Sequence, residues 1–121
     1  MAKNRYFNTR FWSDNFIVGL NPLERYLFMY FLLNEHTNIC GVYEIPLRTM
    51  AFETGIDHEM LPKMIERFKG KIEYIDNWVW IVNFVKYQST GSEYTQKGIK
   101  RCFAEVPEPI QKAIELLKKK K

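Results

Sequence analysis

Apolar positions recur at helical spacing over residues 23–34. Leu23, Tyr26, Leu27, Tyr30, Phe31 and Asn34 repeat along one direction, with Phe28, Met29, Leu32 and Leu33 between them. Asn21 and Pro22 supply an N-cap and a first helical residue, and no Gly or Pro interrupts the run. A helix apolar nearly all round is expected at the centre of a core. Upstream, residues 6–19 carry Phe7, Phe11, Trp12, Phe16, Ile17 and Val18, and Ser13 or Asp14 suits the cap of a short helix. Downstream, residues 37–41 read as a turn with Gly41 freeing the backbone, and residues 42–45 alternate as a short strand. Pro46 opens a second helix that Gly55 closes with a left-handed cap. Asp57 caps a third, predicted over residues 58–69, with Met60, Leu61, Met64, Ile65 and Phe68 as its apolar stripe and Pro62 near its first turn. Residues 71–75 and 78–82 are strand-like. Asp76-Asn77 between them tolerates positive φ and suits a tight hairpin, with Ile72 and Tyr74 facing the core.

Residues 88–92 read as a linker. Ser92 can cap a helix carrying Tyr94, Ile99, Cys102 and Phe103, and Pro107-Glu108-Pro109 restarts a helix with Ile110, Ala113, Ile114 and Leu117. The order helix, short strand, helix, tight turn, helix, hairpin is that of a winged helix-turn-helix. The fold expected is mainly α with a small β-hairpin wing and extra N- and C-terminal helices. Residues 1–87 form the winged helix with its N-terminal flank. Residues 88–121 form a linker and a helical extension with a basic tail. Ala51 and Gly55 match the small residue and turn glycine of helix-turn-helix segments, where two helices cross closely and the turn needs positive φ.

Composition narrows the classes. With 46% hydrophobic and 16% aromatic residues the chain is too apolar to be disordered, yet no run approaches the ~18 residues of a membrane span. The N-terminus lacks the apolar segment of a signal peptide, so a cytoplasmic location and no membrane partner are expected. Cys40 and Cys102 lie far apart without a C-x-x-C partner, and two free thiols are expected in a reducing cytosol. The net charge of +4 is unevenly spread: +2 over residues 1–20, −2 over 21–56, zero over 57–87 and +4 over 88–121. A polyanion would meet the ends first.

Several segments together resemble the N-terminal domain of phage replisome organisers and related DnaD-like replication initiation proteins. They are Arg10-Phe11-Trp12-Ser13-Asp14, residues 21–27, residues 34–43, Ala51-Phe52-Glu53-Thr54-Gly55, and the hairpin 71–76 with Asn83-Phe84. The resemblance covers about residues 5–90. It implies a winged helix that serves replication start-up through DNA binding, self-association or both. Many members continue into a second domain with DNA and helicase-loader contacts.

The residues expected to touch double-stranded DNA are Arg48 and Thr49, then His58, Glu59, Lys63, Arg67 and Lys69 on the third helix, Lys97, Lys100 and Arg101, and the tail Lys118, Lys119, Lys120 and Lys121. The third helix also reads as an ordinary solvated face of mixed charge. An acidic wing tip, Asp76-Asn77-Trp78, argues against a DNA-gripping wing; Asp76 and Asn77 read first as plain turn chemistry, with a protein contact anchored by Trp78 or Trp80 as the alternative. Phe7, Phe11, Trp12 and Phe16, with Ile110, Ile114 and Leu117, are expected to pack within the chain or to build a homodimer interface. His36 is expected to close the turn after the first long helix. No nucleophile pair, carboxylate pair or G-x-x-x-x-G-K-[ST] loop is present, so no catalysis, cofactor or metal is expected. The alternatives are an oligomerisation or partner-docking module of the replication machinery, and a dimeric transcriptional repressor. Tyr and Trp residues would also suit stacking with single-stranded bases.

Overall fold

The computed structural model describes residues 4–84 and 93–119, without the side chains of 93–95. The predicted linker, residues 88–92, and the tail residues Lys120 and Lys121 lie outside the described residues. Within them the chain is mainly helical with one small antiparallel sheet. A 3-10 helix, Thr9–Ser13, leads into α1, Asn15–Val18, whose cap is Asp14, accepting from the N–H groups of Phe16 and Ile17. Next come α2 (Pro22–Leu33), β1 (Val42–Glu44), α3 (Leu47–Thr54) and α4 (Leu61–Glu66). The hairpin β2 (Ile72–Ile75) and β3 (Trp78–Ile81) follows, then α5 (Glu93–Ala104) and α6 (Glu108–Lys119). No helix among the described residues is long and apolar enough to cross a membrane.

The sheet order is β1-β3-β2, so the last strand of the hairpin lies in the middle. Val42 pairs with Trp80 on one side, and Ile72 with Ile81 on the other. Asp76 and Asn77 turn the hairpin with φ of 47° and 71°. Side chains alternate between the two faces of a strand. Tyr43, Ile72, Tyr74, Val79 and Ile81 join the main core with α1 to α4. Val42, Trp78, Trp80 and Val82 join a second core with Val106, Ile110, Ile114, Phe103 and Leu117. The sheet is therefore covered on both faces, which explains why β3 is apolar at every position. Trp80 is buried in this second core and Trp78 packs half-buried against it.

The packing of three segments is now defined. First, α2 buries Leu27, Phe28 and Phe31 but exposes Leu23, Tyr26 and Leu33, because neighbours cover only one of its sides. Second, the aromatic flank packs within the chain. Phe11 is buried, Phe7 and Phe16 pack half-buried, and their rings meet those of Phe28 and Phe68 at centroid distances of 5.8–6.4 Å for Phe11–Phe28, Phe16–Phe28 and Phe16–Phe68. Third, Ile110, Ile114 and Leu117 pack under α6 on the second core. Of the seven residues expected to pack within the chain or to build a homodimer interface, only Trp12 is exposed, at 57%.

Candidate nucleic-acid interface

The α3–α4 segment is built around Gly55, which has φ 77° and whose N–H bonds the carbonyl of Ala51 at 2.9 Å. No atom lies within 4 Å of where its Cβ would stand, so glycine is required there by backbone conformation, not by space. The Thr54 hydroxyl donates to the Met50 carbonyl at 2.8 Å and accepts from the Ile56 N–H at 3.1 Å, tying the last turn of α3 to the connection. Ile56, Leu61 and Met64 are buried and hold α4 against the core.

The regular part of α4 is half the predicted span. Residues 58–60 form a turn in which the Met60 N–H bonds the Asp57 carbonyl, and Asp57 Oδ1 accepts from Glu59 instead of capping α4. Pro62 has no N–H to extend a helix backwards. At the far end Arg67, Phe68 and Lys69 bond the carbonyls three residues earlier, a tightened turn that closes at Gly70. Met60 therefore leaves the predicted stripe and is exposed.

The candidate DNA residues fall into separate groups. Arg48 is exposed and Thr49 half-buried on the first turn of α3, His58 and Glu59 are exposed in the turn before α4, and Lys63 is exposed on α4. Lys69 lies 3.7 Å from Glu66. Arg67 is exposed but held in an ion pair. Its Nε stands 2.6 Å from Glu24 Oε2, and Glu24 is 5% exposed. Glu24 also accepts from the Asn21 N–H at 3.0 Å while Asn21 Oδ1 accepts from the Glu24 N–H at 2.8 Å, a complete capping box. Arg67 thus clamps the end of α4 to the start of α2. Arg67→Ala is expected to destabilise the fold by about 1–3 kcal/mol in urea unfolding, since a buried carboxylate loses its cation, the exposed side of the pair limiting the loss. The salt dependence of any DNA binding should not change in this variant.

The densest cationic face lies elsewhere. Lys97, Lys100 and Arg101 are exposed at i, i+3 and i+4 on α5, and none is in an ion pair among the described residues. Lys100 and Lys118 line a cleft of about 660 Å³ with Trp80, Phe84, Ile99 and Phe103. Lys118 sits 3.9 Å from Glu115 and 5.8 Å from the centre of the Phe103 ring, and Lys119 is exposed. Because α4 packs on the main core and α5 on the second, the sheet lies between Lys63 and the α5 cations.

One polar cluster had no local signal in the sequence. Glu53 on α3 accepts from the Tyr30 hydroxyl at 2.5 Å and meets His36 Nε2 at 2.9 Å. His36 thus links the turn after α2 to α3. Partial burial alone would raise the Glu53 carboxyl, but the bonds from Tyr30 and His36 outweigh it and hold the group below its usual range. Burial first, and then the bond to Glu53, push the Tyr30 phenol upward. Among the described residues no three His, Cys, Asp or Glu side chains gather as a metal site. No family model, curated protein or solved structure matches the chain.

Proposed function

We propose that this chain is a winged helix-turn-helix module that binds duplex DNA without catalysing a reaction, of the kind found in phage replisome organisers and DnaD-like replication initiation proteins. The observation that carries the reading is the order α2, β1, α3, left-handed Gly55 turn, α4, hairpin, with β1 completing the sheet beside β3. Phosphate capture is assigned to Lys97, Lys100 and Arg101, with Lys118 and Lys119 beside them in the same helical pair. In this reading α4 offers Lys63 as its one unpaired cation, so little base-specific discrimination is expected. The location is taken to be cytoplasmic, and a replisome or helicase-loader protein is the expected further partner.

The test is fluorescence anisotropy of a labelled random duplex at several salt concentrations. Binding should fall steeply with salt, with a slope in log K of about −0.9 per phosphate neutralised. Replacing Lys97, Lys100 and Arg101 together by Ala should flatten that slope by up to roughly 2.7. An absence of binding at low salt would overturn the reading. A partner-docking module would then be favoured by the apolar side chains left in solvent: Leu23, Tyr26 and Leu33 along α2, and Phe52 on α3, which is 88% exposed.

A further inference from the structure

Cys40 and Cys102 are 62 residues apart in sequence, yet their sulfurs lie 3.0 Å from each other. The fold builds this approach. Gly98 sits one helical turn before Cys102 on α5, and a Cβ there would stand 3.1 Å from Ile39 Cδ1. The missing side chain lets α5 seat closely against the turn that carries Cys40. Both Cys residues belong to the second core, Cys40 buried and Cys102 half-buried. Arg5 is fixed to the same turn by Nε to Thr37 Oγ1 at 2.9 Å and Nη2 to the Thr37 carbonyl at 3.0 Å.

We propose that Cys40 and Cys102 are a paired modification site that closes to an intramolecular disulfide on exposure to a low-molecular-weight disulfide, locking α5 onto the turn before β1. A bonded pair has its sulfurs about 2.05 Å apart, so closure asks for a movement of about 1 Å. Cys102 is the more accessible thiol and reacts first. Its thiolate attacks one sulfur of the oxidant, the oxidant's S–S bond breaks, and a thiolate of the small molecule departs. Cys40 then attacks the Cys102 sulfur of the mixed disulfide. The second small thiolate departs and takes up the Cys40 proton, so two protein thiols become one disulfide and one small disulfide becomes two thiols. Burial first, and then the bond with Cys102, push the Cys40 thiol up, so Cys40 is not the thiol that opens the reaction.

The test treats the whole chain with oxidised glutathione and follows free thiols, intact mass, non-reducing mobility and thermal unfolding. The expected product is a monomer with no free thiol and no glutathione attached, two hydrogens lighter. Its Tm should rise by on the order of 10 °C, because the cross-link closes a long loop of the unfolded chain. Dithiothreitol should reverse both changes. Cys40→Ser should stop at the glutathione adduct on Cys102. Cys102→Ser, which alters a half-buried position and so spares the fold, should leave Cys40 unmodified. A wild-type chain that keeps both thiols, carries stable glutathione, or cross-links only between molecules would overturn the proposal. These readouts involve no nucleic acid, so they stand or fall separately from DNA binding.

Discussion

Truncating Ile114 to Ala is expected to lower stability by about 2–5 kcal/mol, the range for removing three carbons from a buried site that cannot fully collapse. Ile114 is 0% exposed and packs in the second core with Val42, Trp80, Val106 and Ile110. Its loss opens a cavity between α6 and the sheet. Isolated helices of this length are marginal in water, so α6 depends on that burial for its existence. The expected consequence is a single cooperative unfolding transition at a lower denaturant midpoint. Leu116→Ala on the same helix is the control, since Leu116 is 62% exposed and its truncation should cost only a few tenths of a kcal/mol. Equal effects for the two variants would mean that α6 is not docked as described.

Gly41→Ala is the second large effect expected, at about 2–5 kcal/mol from left-handed strain plus overpacking. Gly41 has φ 73°, and a Cβ there would stand 2.6 Å from Phe84 Cβ, closer than real side chains approach. Phe84 is itself buried in the main core, so it has little room to yield. The Gly41 carbonyl also accepts from the Ile81 N–H at 2.8 Å, so displacing the turn disturbs the pairing of β1 with β3. Gly55→Ala separates the two contributions, because Gly55 has a similar φ of 77° and open space around it. Its cost should be about 1–2 kcal/mol, from conformation alone. Chemical denaturation of both variants checks the difference.

Much of the element order was legible because its signals are local. Asn21-Pro22, Gly55, the Asp76-Asn77 turn and Pro107-Glu108-Pro109 each act within a few residues, and each marks a boundary in the structure. The Asn21 to Glu24 spacing also carries the capping box, a signal the periodicity of α2 overshadowed. Contacts made across the fold left no such trace. Nothing near Arg67 announces that Glu24, from the first turn of α2, will hold it, so its charge reads as surface until the fold is known. Cys40 and Cys102 meet only once α5 has docked beside the turn that carries Cys40. The aromatic flank was ambiguous for a similar reason. An apolar segment must be covered, but composition does not say by what, and here Phe28 and Phe68 do the covering. The extent of α4 left the weakest trace in the sequence. Helical pattern favoured residues 58–69, whereas Pro62 and the tightened turn at 67–70 confine α4 to Leu61–Glu66.

The most direct test of DNA binding through α5 and α6 is a backbone amide nuclear magnetic resonance titration of the full chain with a random DNA duplex at low salt. Chemical-shift changes should concentrate on α5 around Lys97, Lys100 and Arg101, extend to the end of α6, and be suppressed by added salt. Spectra that do not change, or that change only along Leu23, Tyr26 and Leu33 of α2, would contradict it.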